Sequence, residues 1–339
     1  MVVPGQSYPY VYPTPSPYGP PLMSEPRVVV VPAQPAPPYH LSASVDALFL
    51  ERSSGGSVPL GYAAYSQSSP AMAGLYSDDT LFPLEAGLRL ELSRKFDNNI
   101  TLSATYWGLQ QWSVGDAIYG DAYDFAYPVL NYSPYLKLSS PANLNGFDDS
   151  LSYTYRSQIQ NVEFNAMYRL NSFNPYCELN WLVGARYVYF SDGLTLTGVD
   201  DYYQATEQLT SNTTNNLVGV QTGLQFTHGW ARFQWDFGFK VGLMANLYQQ
   251  QKTDTASEVG GLPAGYNPYD VSNKSSDLSA LFEVTLGARY RLSDNLWLRL
   301  GYQVYDITGL ALAPKQLGGY NHTGNVCLDG FSIGLQATF

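Results

Sequence analysis

Cysteine is almost missing from this 339-residue chain, which holds only Cys177 and Cys327. Two cysteines build no disulfide framework, and these lack the paired spacing of a zinc site. Charge is scarce too, at 13% Asp, Glu, Lys and Arg. What there is runs acidic, with a net charge of −11. That argues against nucleic acid as a partner, since binding it depends on neutralising phosphates with Lys and Arg. Histidine occurs three times, as His40, His228 and His322. No run approaches the ~18 consecutive apolar residues that a spanning helix needs. No basic and apolar leader opens the chain, where Val-Val-Pro-Gly follows Met1 directly.

Aromatics, by contrast, are abundant at 15%, with 29 tyrosines. Low charge with many aromatics suits a transmembrane β-barrel and its aromatic girdles. Residues 1–38 are a different material, holding more than half of the 22 prolines. Proline removes backbone donors and favours the extended polyproline conformation, so this stretch reads as a disordered tail or linker. Residues 39–339 read as the second domain.

From His40 onward the apolar pattern has a period of two. Phe233, Trp235, Phe237, Phe239 and Val241 alternate with Gln234, Asp236, Gly238 and Lys240. A helix would mix these sets on every face, whereas a strand separates them. The pattern recurs in about ten segments: 40–52, 82–94, 99–113, 150–170, 176–191, 214–226, 230–248, 278–292, 295–307 and 328–339. In 150–170 the phase slips between Ile159 and Val162, which predicts a β-bulge. Short connections (95–98, 171–175, 227–229, 293–294) alternate with long ones (53–81, 114–149, 192–213, 249–277, 308–327). The fold class predicted is an all-β, antiparallel up-and-down transmembrane barrel of about ten strands, with twelve as the alternative count. An even count leaves both termini at the short-turn end, periplasmic in a bacterial outer membrane. Export requires a leader, so the chain is expected to be a mature or truncated form lacking its signal peptide.

The polar phase carries Glu85, Arg89, Glu91, Arg156, Glu163, Arg169, Glu178, Arg186, Arg232, Asp236, Lys240, Glu283, Arg289, Arg291 and Arg299. Mid-bilayer exposure of such groups to lipid costs a few kcal/mol each. They are therefore assigned to a polar lumen, either as a plugging salt-bridge network or as the lining of a narrow wet path. Trp107, Trp112, Trp181, Trp230 and Trp297 are candidate girdle residues. The last strand ends on Phe331, Ile333, Leu335 and Phe339. It resembles the signature by which barrel-assembly machinery recognises its clients.

Several stretches, ITLSATYWGLQQW (100–112), NNLVGVQTG (215–223) with FGFKVGLMAN (237–246), and ARYRLSDNLWLRLGYQVYDITGLALAPKQL (288–317), resemble β-barrel porin family seven, an uncharacterised outer-membrane family. The resemblance implies a barrel and a pore, and it carries over no functional residue. The function expected is a pore for small solutes or ions. The alternative is a structural or adhesive barrel, with a salt-bridge-plugged lumen and functional outer loops. A rim hydrolase is the third reading. The paired acids Asp78-Asp79, Asp148-Asp149 and Asp200-Asp201 fall in predicted outer loops, but no Asp adjoins His322. The chain is accordingly expected to be no enzyme and to use no metal or cofactor. The tyrosine-dense loop 121–135 is a candidate for stacking on sugars. Expected partners are outer-membrane lipid, the assembly machinery, and small solutes or ions.

Overall fold

The computed structural model describes residues 41–53, 55–64, 73–96, 99–119, 125–128, 139–140, 144–145, 150–174, 176–201, 204–258, 268–317, 321 and 323–339. In chain order the strands are β1 (Leu41–Arg52), β2 (Pro59–Ala64), β3 (Ala73–Tyr76), β4 (Glu85–Lys95), β5 (Ile100–Tyr119), β6 (Phe125–Pro128), β7 (Ser139–Ser140) and β8 (Leu144–Asn145). Then follow β9 (Ser150–Asn174), β10 (Cys177–Asp200), β11 (Ala205–Trp230), β12 (Phe233–Glu258), β13 (Tyr269–Arg291), β14 (Leu296–Leu310) and β15 (Gly324–Thr338). Ten of them close an antiparallel barrel in the order β1-β15-β14-β13-β12-β11-β10-β9-β5-β4, and β4 returns to β1. Two backbone hydrogen bonds between Leu41 and Phe339 tie the ends of the barrel together at the short-turn end. Residues from the long connections after β1 and β5 add a small sheet, β3-β2-β6.

The strands are uneven. On one side β9 to β13 run 23 to 26 residues, while on the other β14, β15, β1 and β4 run 11 to 15. Some 9–11 residues suffice to cross a bilayer, so the long strands continue well beyond it. The predicted loop 192–213 is therefore mostly strand, with a connection at 201–204. Its outward phase carries Thr195, Thr197, Thr206 and Thr210, and threonine is a good strand former. Its outer face need not be apolar, because it stands above the bilayer.

The inward phase changes character with height. On β10 it passes from Glu178, Asn180 and Arg186 at the short-turn end to Val188, Phe190, Leu194 and Leu196 toward the loop end, and the last four are buried. On β9 it passes from Glu163 and Asn161 to Ile159, Tyr155 and Tyr153. The outward phase changes the other way, from Phe164 and Tyr168 to exposed Arg156. Within the bilayer, lipid demands apolar groups outside. Above it, water takes the outer face and an ordinary hydrophobic core fills the inside.

This inversion explains the predicted bulge at 159–162. Strand β9 keeps unbroken register with β10 from Ser150 to Arg169. The apolar set changes sides because the environment changes, not because the strand slips. A real bulge lies opposite, on β5 between Gly108 and Gln111, where Leu109 takes a φ of 77° and turns outward. That bulge carries Trp107 and Trp112 both into the core, so neither is a girdle residue. Trp181 and Trp230 are exposed, and Trp297 falls on the inward phase, half-buried.

Candidate functional site: the lumen and its closure

A cavity of about 460 Å³ occupies the lumen toward the short-turn end. Its charges come in balanced groups. Arg169 pairs with Glu178 at 2.6 Å. Arg289 donates to Asp236 at 2.8 Å through Nε. Arg299 reaches Glu91 at 3.1 Å and Asp46 at 3.4 Å. Arg89 stands opposite Asp46 in the β1–β4 register and donates to Gln303 at 3.1 Å.

The deepest group forms a ring of four charges. Arg186 meets Glu163 at 3.0 Å and Glu283 at 2.7 Å, while Lys240 meets the same two acids at 2.8 and 2.9 Å. Glu163 also accepts hydrogen bonds from Asn161, Asn165 and Gln221. Four strands supply the ring, so it cross-braces the barrel. Satisfying the remaining lone pairs is what makes such burial tolerable. Toward the loop end follows a layer in which the Trp107 and Tyr305 rings lie 4.6 Å apart, both buried.

Nearer the loop end sits a second buried ion pair, Arg52–Asp192 at 3.1 Å, bridged by the Tyr155 hydroxyl. The Arg52 guanidinium also lies 4.3 Å from the centre of the Phe82 ring. Against this pair the chain folds back into the lumen. Strand β14 breaks register at Gly309, whose φ is +76° and where a Cβ would come 2.6 Å from the Leu278 carbonyl. The segment Leu310 to Ala313 and Leu317 is then fully buried among lumen side chains. The sequence placed this stretch in an outer loop. Its apolar Leu-Ala-Leu-Ala was the available sign that it turns inward.

The other sequence-assigned lumen residues divide. Arg89, Glu91, Arg169, Glu178, Asp236, Lys240, Glu283, Arg289 and Arg299 line the cavity, and Glu163 and Arg186 lie just beyond it. Glu85 is half-buried near the loop end of β4. Arg156 is corrected to the outer face, exposed above the bilayer. Arg232 is corrected to the exposed turn between β11 and β12, because β12 begins only at Phe233. Arg291 pairs with Asp294 at the short-turn rim. Asp46, Arg52 and Asp192 were missed; the first two share the inward phase of β1 with Leu48 and Leu50, which hid them. Phe331, Ile333, Leu335 and Phe339 are exposed on the outer face. His228 lies at the short-turn end, its Nδ1 3.0 Å from Cys177 Sγ. His40, His322, Asp148 and Asp149 lie outside the described residues, as do the side chains of the tyrosine-dense loop. Among the described residues no cluster of three or more His, Cys, Asp or Glu could hold a metal.

No family model and no curated protein matches the chain, so the resemblance to family seven stands on its quoted residues alone. Solved structures do match. The outer membrane protease OmpT from Escherichia coli aligns over 88% of this chain and 97% of its own, at 12% identity and a TM-score of 0.50. The monoaromatic hydrocarbon channel CymD covers 89% of each chain at 9% identity, with a TM-score of 0.33. Ail, the attachment invasion locus protein of Yersinia pestis, covers 88% of this chain and 99% of its own at 9% identity, with a TM-score of 0.20. At 12% identity the likeness to OmpT is one of fold, and the fold is that of a bacterial outer-membrane β-barrel. The expectation that the chain is no enzyme is corrected here. A barrel of matching architecture is an outer membrane protease, so the barrel form supplies no argument against catalysis.

Proposed function

We propose that the protein is a bacterial outer-membrane barrel closed to free through-passage, whose working end is the loop-end mouth. The observation that carries this reading is the closure itself. Ion-pair ring, aromatic layer, buried Arg52–Asp192 pair and inserted segment succeed one another along the lumen. In this arrangement the lumen charges cross-brace the wall, which favours the structural or adhesive alternative over a passive pore. Both ends of the barrel, at Leu41 and Phe339, face the periplasm, and the Pro-rich residues 1–38 that precede it in sequence serve as a spacer. The apolar outer belt meets lipid, and the last strand is the segment read by the assembly machinery.

The charged cavity at the short-turn end favours a second reading, a narrow solute pore, in which that cavity is half of the path. One measurement separates the two. The purified barrel in a planar bilayer should show no steady conductance at either voltage polarity. A stable, discrete single-channel current would overturn the closed reading in favour of the pore.

A further inference from the structure

The inserted segment is gripped in an unusual way. No barrel strand pairs with it beyond Leu310. Instead, lumen side chains take up its backbone groups at every second residue. Asn246 Nδ2 donates to the Gly309 carbonyl at 2.9 Å. Asn215 takes both backbone groups of Ala311, accepting from its N–H at 2.8 Å and donating to its carbonyl at 2.9 Å. Asp192 accepts from the Ala313 N–H at 2.8 Å, and Ser211 donates to the Ala313 carbonyl at 3.0 Å. The skipped residue, Leu312, has its carbonyl taken by the segment's own Gln316.

A primary amide that accepts from the N–H and donates to the C=O of one residue reproduces the pairing a neighbouring strand would offer. It reads backbone, so it recognises a peptide without regard to most of its side chains. Specificity enters through space: Ala311 and Ala313 are wholly buried, and larger residues would clash there. Asn215, Asp192, Ser211 and Asn246 are themselves buried. Removing the segment would take the Ala311 and Ala313 backbone groups away from buried Asn215, Ser211 and Asp192, a loss that is costly even though Asp192 keeps Arg52 and Tyr155 and Asn215 keeps Asn246.

From this geometry we infer that the mouth is a peptide-binding groove, held shut by the chain's own residues 309–317. Its ligand class is a short peptide segment with small residues at two alternate positions, as in Ala-Leu-Ala. The inference rests on the mouth being the working end. The tethered segment sits at a high effective concentration, so a free peptide competes poorly with it. Binding therefore requires that the segment be released.

The test uses the full chain with residues 310–317 replaced by a Gly-Ser linker, its folding checked by heat-modifiable gel migration. The probe is a fluorescent synthetic peptide of sequence Gly-Leu-Ala-Leu-Ala-Pro-Lys-Gln-Leu. The cleared groove should bind it saturably, and adding Asn215→Ala, which removes two hydrogen bonds, should weaken it by about tenfold. Failure of the folded variant to bind, or binding indifferent to Asn215, would overturn the inference. Should the linker variant not fold, a Leu312→Cys variant lacking both native cysteines decides the matter, since Leu312 is buried and the smaller side chain adds no clash. Excess peptide should speed its reaction with maleimide, and an unchanged rate up to millimolar peptide would overturn the inference. Neither readout depends on conductance, so a current through the barrel would sink the closed-lumen reading and leave this one standing or falling by itself.

Discussion

Replacing Arg186 with methionine is the sharpest perturbation of the lumen. Its side chain is wholly buried and touches both Glu163 and Glu283. The ring holds two positive and two negative groups, so Arg186→Met leaves two carboxylates facing Lys240 alone. One uncompensated negative charge then lies where little water reaches. Breaking a buried pair in this way costs about 3–5 kcal/mol. The double variant Arg186→Met with Glu283→Gln restores neutrality and should recover more than half of that loss. The two changes are therefore strongly non-additive, as residues sharing one network must be. Lys240 reaches the cavity, with a side chain 15% exposed, so water offsets part of its loss and Lys240→Gln should cost less than Arg186→Met. Guanidinium-induced unfolding in detergent, followed by tryptophan fluorescence, measures the wild type, Arg186→Met, Glu283→Gln, Lys240→Gln and the double variant. An Arg186→Met cost below about 1 kcal/mol would refute the reasoning, and so would simple additivity in the double variant.

Three further outcomes are expected. Phe239 is exposed on the outer face of β12, so Phe239→Arg at mid-bilayer should cost about 2–4 kcal/mol in the same assay; no loss would place this face away from lipid. Cys177 begins β10 at the short-turn end and Cys327 lies near the loop end of β15, both free. Intact cells should therefore let an impermeant maleimide reach only Cys327, and labelling of Cys177 alone would reverse the proposed orientation. Deleting Phe339 should slow insertion into membranes more than it lowers the stability of inserted barrels, and normal insertion kinetics would remove its role as an assembly signal.

The strand count was legible because lipid imposes one rule on ten segments: apolar outside, polar inside. Where that rule held, in 230–248 or 328–339, the sequence located the strands and separated Phe237 from Asp236. Beyond the bilayer the rule reverses, and there the reading went astray. Arg156 was put inside because a charge on a strand suggested a lumen, whereas above the lipid it suits the wet face. Trp107 and Trp112 read as girdle residues because their burial depends on a bulge at Leu109 that alternation alone does not reveal. The stretch after Gly309 read as a loop because its partners, Asp192, Ser211, Asn215 and Asn246, come from strands distant in sequence. Period-two patterning carries no information about such contacts.

The seam between β1 and β15 sets a timetable for the whole molecule. Eleven register pairs join Ser42–Arg52 to Leu328–Thr338, which lie at opposite ends of the barrel sequence. The ring stays open until β15 has been delivered. Until then two strands, β1 and β14, each present a row of unpaired amides and carbonyls, the kind of edge that invites foreign pairing. Every other barrel strand can find a sequence neighbour as soon as it emerges, yet none of those pairings completes the circle. The fifteen residues of β15 thus act as a keystone whose arrival ends the period of greatest exposure to misassembly.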